Sequence, residues 1–199
     1  MDMLKNALII FARKPEMGKV KTRLANTLGV EKTLQIYIKL LEHTRAVARN
    51  LPCDTFIFLT EPTGDDFWEG FNCEIQQGKN LGDKMEHAFE TLFTKGYQHC
   101  IIIGSDCPGI EPSLVENAFL SFVDNDVVIG PAEDGGYYLL GMKKLIKPVF
   151  RDKEWSTSNV FSETIAAIQN LHLAFKILPV LNDVDEEKDV PLKWLENLV

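Results

Sequence analysis

Five cations crowd one short stretch of an otherwise acidic chain. Arg13, Lys14, Lys19, Lys21 and Arg23 surround Pro15 and Gly18, directly after the apolar run at residues 7–11. The whole chain carries 29 acids against 21 lysines and arginines, a net charge of −8. The cluster therefore reads as a local anion site and not as a footprint for nucleic acid or an anionic membrane. Gly18 lets backbone approach a phosphate, Arg13 and Arg23 can grip oxygens bidentately, Lys21 adds a point charge, and Thr22 can cap a following helix. The Walker A spacing is absent.

Three further segments carry carboxylates. Gly104-Ser105-Asp106-Cys107-Pro108 follows the apolar run at 100–103. Asp106 there can hold a hard divalent cation that in turn holds diphosphate oxygens, or it can simply cap the helix near Glu111 or close a turn with Pro108. In Pro131-Ala132-Glu133-Asp134-Gly135-Gly136-Tyr137 the paired glycines allow close approach of a ligand. Asp134 can bind an acceptor hydroxyl or take its proton, although Asp-Gly is also ordinary turn chemistry. In Asn182-Asp183-Val184-Asp185 one acid can cap the last helix and the other can be a second metal ligand.

Bringing such distant loops together requires a particular scaffold, and hydrophobic periodicity describes one. Strands are predicted at 7–11, 55–60, 73–77, 100–103, 126–129, 137–140 and 174–178. Helices are predicted at 31–50, from Leu81 to a stop at Gly96, across Leu114 to Phe122, across Phe161 to Ile168, and at the end around Trp194 and Leu198. A polar turn spans 62–66. This alternation favours a parallel sheet covered by helices, and ligands of such sheets bind at the carboxyl ends of the strands, where the polar segments fall. The strand at 137–140 follows its predecessor through Gly135 and Gly136 with no helix between them, so it is expected to run antiparallel. A chain of 199 residues, without a repeat or a clear linker, fits one domain. The four cysteines form no C-x-x-C pair, and no stretch has a signal peptide's or membrane span's apolar length, which points to a reducing, cytoplasmic setting.

Taken in order, Phe-Ala-Arg-x-Pro-x-x-Gly-Lys-x-Lys-Thr-Arg-Leu from Phe11, Leu81-Gly82-Asp83-Lys84-Met85, the Asp106 segment, the stretch from Gly130 to Gly141, and Asp183-Val184-Asp185 follow a familiar series. The chain resembles the glycosyltransferase-A-like family related to 2-phospholactate guanylyltransferase over nearly its whole length. The resemblance implies a Rossmann-like three-layer α/β/α sandwich of the nucleotide-diphospho-sugar transferase type, mostly parallel with an antiparallel strand. It also implies phosphate binding by Arg13, Lys21 and Arg23, nucleoside contact near Ala12, Gly78 and Leu81, and Mg²⁺ or Mn²⁺ on Asp106. In nucleotidylyltransferase relatives the late motif resembles Asp-Thr-Pro-Glu-Asp-Leu and its first Asp is a metal ligand. That would be Asp185 here, where the Thr-Pro is missing, so Asp183 stays open as the alternative.

The expected activity is metal-dependent glycosyl transfer from a nucleotide-diphospho-sugar to a small acceptor, with Asp106 and Asp134 as catalytic residues. The alternatives are nucleotidyl transfer with release of pyrophosphate, and nucleotide binding without turnover. The base, the sugar, the acceptor and the oligomeric state are not legible in the sequence.

Overall fold

A computed structural model describes residues 5–62, 64, 66–196 and 198. Thr63 and Asp65 of the predicted 62–66 turn lie outside the described residues, as does the start of the N-terminal segment. Among the described residues seven strands form one sheet: β1 (Asn6–Ala12), β2 (Asp54–Leu59), β3 (Asn72–Ile75), β4 (His99–Gly104), β5 (Val127–Pro131), β6 (Tyr137–Met142) and β7 (Phe175–Ile177). Their order is β3-β2-β1-β4-β6-β5-β7. β6 is antiparallel to both neighbours, and every other pairing is parallel. The hairpin expected at Gly135-Gly136 therefore forms, and β6 inserts between β4 and β5.

Strand burial explains the three layers. In β1 alternate side chains enter opposite cores: Leu8 and Ile10 pack with α1 (Thr22–Leu28), α2 (Val30–Arg49) and α4 (Pro112–Leu120), whereas Ala7 and Ile9 pack with α3 (Leu81–Thr94) and α5 (Val160–Asn170). Both faces are covered, so the strand reads as a continuous apolar run and not as an alternation. The terminal helix is short, α6 (Leu192–Leu195), and packs Trp194 and Leu195 onto the α2 side. None of the helices among the described residues is long and apolar enough to cross a membrane.

Two capping expectations change. Thr22 is the first residue of α1 and not its cap; Lys21 holds the cap position in a left-handed conformation. Neither Asp183 nor Asp185 caps a helix, because the turn Glu187–Asp189 is closed by a reciprocal pair of hydrogen bonds between Glu186 and Asp189. The backbone N–H of Asp185 also donates to Asp189, at 3.2 Å, which leaves the Asp185 carboxylate free to face the strand ends.

Candidate active site at the strand ends

The carboxyl ends of β1 and β4 adjoin in the sheet, and the loops leaving them frame a pocket of about 540 Å³. The basic loop divides its charges. Lys14 and Lys19 both pair with Glu16, at 2.9 and 2.5 Å, while Arg13, Lys21 and Arg23 line the pocket. Lys84, from the first turn of α3, joins them. Its helix starts sharply because the Asn80 side chain accepts from the Asp83 N–H at 2.9 Å, while the Lys79 N–H donates to the Asp83 carboxylate at 3.1 Å.

Lys21 makes the central contact. Its Nζ lies 2.7 Å from Asp106 Oδ2 and 3.2 Å from Asp185 Oδ1, so one ammonium joins carboxylates from the β4 loop and the C-terminal segment. Arg23 Nη1 reaches the other Asp185 oxygen at 3.4 Å. Burial alone would lower the pKa of Lys21, but the charge and hydrogen bond of Asp106, then those of Asp185, outweigh it and hold the ammonium above the ordinary lysine value. Backbone pairing sets this geometry: the Val184 N–H donates to the Asp106 carbonyl at 3.0 Å, which ties the late segment to the β4 loop.

Next to this bridge the site is acidic. Burial, then the Asp106 charge, pushes the Asp183 carboxyl up to about 6, with Lys21 opposing and Asp134 and Asp185 adding. Burial, then the charge of Asp183, raises the Cys107 thiol to about 12. Asp134 is exposed at the β5–β6 turn, where its Oδ1 accepts from the Gly136 N–H at 2.8 Å.

Of the residues singled out in the sequence, Ala12, Arg13, Lys21, Arg23, Leu81, Asp106 and Asp185 line the pocket. Asp134 and Asp183 lie beside it. Gly78 is not among the lining residues: with φ of +142° it packs against the α3 start, where an added Cβ would come within 2.7 Å of Lys84 N. Tyr37 is the main residue that periodicity misses. It counts as an apolar position of α2, yet its hydroxyl accepts from the Arg13 N–H at 2.9 Å and donates to the Arg13 carbonyl at 3.1 Å. Gln76 is missed as well; its amide N–H₂ donates to the carbonyls of Phe58 at 2.9 Å and Ala12 at 3.5 Å, joining the ends of three strands.

Among the described residues no three His, Cys, Asp or Glu side chains are arranged to hold a metal. Asp106 and Asp185 gather oxygens around the Lys21 ammonium, and they are the pair that could hold an ion in its place. That suits Mg²⁺ or Mn²⁺, which is commonly bound through one or two carboxylates plus water and substrate phosphate.

A sequence model of bacterial proteins described as "Uncharacterized protein conserved in bacteria (DUF2064)" matches residues 42–157. The crystal structure of a candidate nucleotide-diphospho-sugar transferase from Desulfovibrio desulfuricans G20 is 32% identical, with a TM-score of 0.87 over 92% of this chain and 84% of that one. The inositol-1-phosphate CTP transferase from T. maritima is 13% identical, with a TM-score of 0.59 over 98% of this chain and 96% of that one. The manganese complex of Rv0371C from Mycobacterium tuberculosis H37Rv is 12% identical, with a TM-score of 0.58 over 98% of this chain and 100% of that one. The last two are likenesses of fold. No curated protein matches the sequence.

Proposed function

The chain belongs to the bacterial family described as uncharacterized protein conserved in bacteria (DUF2064), and on that premise we propose that it is a transferase that binds a nucleotide-diphospho-sugar and passes the glycosyl group to a hydroxyl of a small acceptor. The 32% identical relative, a candidate nucleotide-diphospho-sugar transferase, supports the donor class. So do four cations lining one pocket of a protein whose net charge is −8.

The observation that carries the choice of reaction is the acidity beside the Asp106–Lys21–Asp185 bridge. Asp134 and Asp183 place further carboxylates there, and both act on the same local field as Asp106 and Asp185. An acceptor phosphate or carboxylate would be repelled from such ground, whereas an acceptor hydroxyl would be oriented by it. In this reading Arg13, Arg23 and Lys84 bind the donor phosphates, and the exposed Leu81 side chain offers an apolar face to the nucleoside. Asp106 and Asp185 would hold Mg²⁺ or Mn²⁺, whose charge neutralises the diphosphate leaving group. Asp134 takes the acceptor proton as the acceptor oxygen bonds to the sugar carbon and the bond from that carbon to the diphosphate oxygen breaks. With Oδ1 engaged by Gly136, Oδ2 is the oxygen available for the proton. Four free cysteines and soluble substrates support a cytoplasmic setting.

Nucleotidyl transfer is the second reading, favoured by the cation density of the loop after β1, which also suits a triphosphate. The leaving group separates the two. Protein, Mn²⁺ and a panel of nucleotide sugars and nucleoside triphosphates are incubated with small acceptors, and nucleoside diphosphate and pyrophosphate are measured in parallel. Nucleoside diphosphate that disappears in Asp106→Asn is the expected result; Asp106-dependent pyrophosphate without it overturns glycosyl transfer.

A further inference from the structure

We propose that Lys21 is an internal cation that competes with the divalent ion for the Asp106–Asp185 pair, so that the ion is admitted together with the anionic donor and not ahead of it. The inference rests on the reading of these two acids as metal ligands given above.

The first observation is the geometry of the bridge. Nζ contacts one oxygen of each acid, at 2.7 and 3.2 Å, from a side chain only 8% exposed. A divalent ion shared between the two acids would have to take the space between them that the ammonium fills, since Nζ holds Asp106 Oδ2 and Asp185 Oδ1 and like charges exclude each other at such range. The second is conformational. Lys21 adopts φ 46° and ψ 50°, a left-handed geometry that is strained for a non-glycine residue. A lysine that only had to meet an anion from solvent would need neither this strain nor this burial. The third is that Lys21 stands apart from its neighbour: Arg23 also reaches Asp185, at 3.4 Å, but its side chain is 73% exposed and meets the other oxygen, Oδ2.

Lys21 also lines the donor pocket with Arg13. An incoming diphosphate thus offers the ammonium a second set of oxygens, and its transfer frees the acids. By linkage, whatever draws Lys21 away raises the affinity for the ion, and the ion in turn raises the affinity for the donor. The chain gains a safeguard from this arrangement: the site does not fill with metal before a donor is present to use it.

The test measures Mn²⁺ binding by electron paramagnetic resonance, with Mn²⁺ as the probe and no nucleotide, in the parent, Lys21→Met, Lys21→Arg and Arg13→Met. Lys21→Met should bind Mn²⁺ about tenfold or more tightly than the parent, because the competent fraction of the acid pair rises. Lys21→Arg, which keeps the charge, should stay near the parent. Arg13→Met removes a pocket charge that does not contact the acids, and should change the affinity much less. Equal gains in Lys21→Met and Arg13→Met would reduce the effect to general electrostatics and overturn the proposal. Should Lys21→Met fail to fold, Lys21→Gln and the parent itself still decide. Parent affinity for Mn²⁺ should rise at least about tenfold with saturating guanosine or uridine diphosphate, after correction for metal held by nucleotide in solution. Parent binding that is equally tight without nucleotide overturns the competition and leaves the metal site standing. No Mn²⁺ binding in any variant, with or without nucleotide, overturns the metal site and this inference with it.

Discussion

The Tyr37 hydroxyl holds both backbone polar groups of Arg13, accepting from its N–H at 2.9 Å and donating to its carbonyl at 3.1 Å. One side chain on α2 thereby sets the direction in which the chain leaves β1. Burial, then the charge of Asp106, keeps this phenol above its ordinary pKa, so it stays neutral and able to donate. Tyr37→Phe should weaken nucleoside diphosphate binding by about 3- to 10-fold, the equivalent of one or two net hydrogen bonds. If Tyr37 acts through Arg13, the substitution should have little further effect in an Arg13→Ala background. A double-mutant cycle by calorimetry checks this; additive losses would mean that the two residues act separately.

Asp106→Asn keeps the shape of the side chain and the backbone link from the Asp106 carbonyl to Val184, but loses the charge that a hard cation needs. Mn²⁺-dependent nucleotide binding should fall at least about 10- to 100-fold, since even outer hydrogen-bond partners of metal ligands cost that much. Titration of the protein with Mn²⁺ and nucleotide together checks it, and an unchanged affinity would remove Asp106 from the site.

Asp134→Asn separates acceptor chemistry from donor binding. Asp134 does not line the donor pocket, so donor affinity should change little, while turnover drops by roughly 10² to 10⁴ if its carboxylate takes the acceptor proton. A matching loss in donor affinity and turnover would instead make Asp134 a structural turn residue.

Gly135→Ala probes the turn that carries Asp134. Gly135 has φ of +90°, and an added Cβ would collide with the backbone of Ser158, which cannot swing aside as a flexible side chain could. Its carbonyl also accepts from the Phe161 N–H at 2.9 Å, tying the turn to α5. A loss of about 2–4 kcal/mol in unfolding free energy is expected. Gly136→Ala should cost less, since its new Cβ would meet chiefly the Asp134 side chain, at 3.1 Å from Oδ1. Denaturant unfolding of both variants checks the order.

Lys153 donates to Thr164 Oγ1 at 2.6 Å, and burial pushes its pKa from 10.5 down to about 8. Below about pH 8 both folded and unfolded chains carry the proton, and the folded state bears the full cost of the half-buried charge. Between about 8 and 10.5 the folded chain has lost a proton that the unfolded chain keeps, so this group's contribution to stability rises with pH. Lys153→Met, which never carries the charge, should exceed the parent in melting temperature by more at pH 7 than at pH 10. A constant difference across that range would remove the pH linkage.

Much of the site was legible in contiguous segments because a loop after a strand keeps its residues near the strand end. Arg13 follows Ala12, Asp106 follows Gly104, and Asp134 precedes the glycine turn, so strand periodicity alone put them at one edge of the sheet. The antiparallel β6 was legible for the same local reason, since two glycines leave no room for a crossover helix. What the sequence could not determine depends on contacts between distant segments. That β6 lies beside β4, with β5 displaced outward to pair with β7, follows from which apolar faces pack together, and no local pattern states it. Lys21 and Asp185, 164 positions apart, meet because backbone bonds tie the late segment to the strand ends, Leu181 to Pro131 and Glu133 and the Val184 N–H to the Asp106 carbonyl. Tyr37 and Gln76 were missed because each does its work through a polar tip, while periodicity records only whether a residue suits a core. Sequence thus determined the kinds of chemistry present and the edge of the sheet where they gather. Tertiary structure alone decided which charges face one another, because the energy of an ion pair depends on separation in space and on burial, and neither quantity is set by position along the chain.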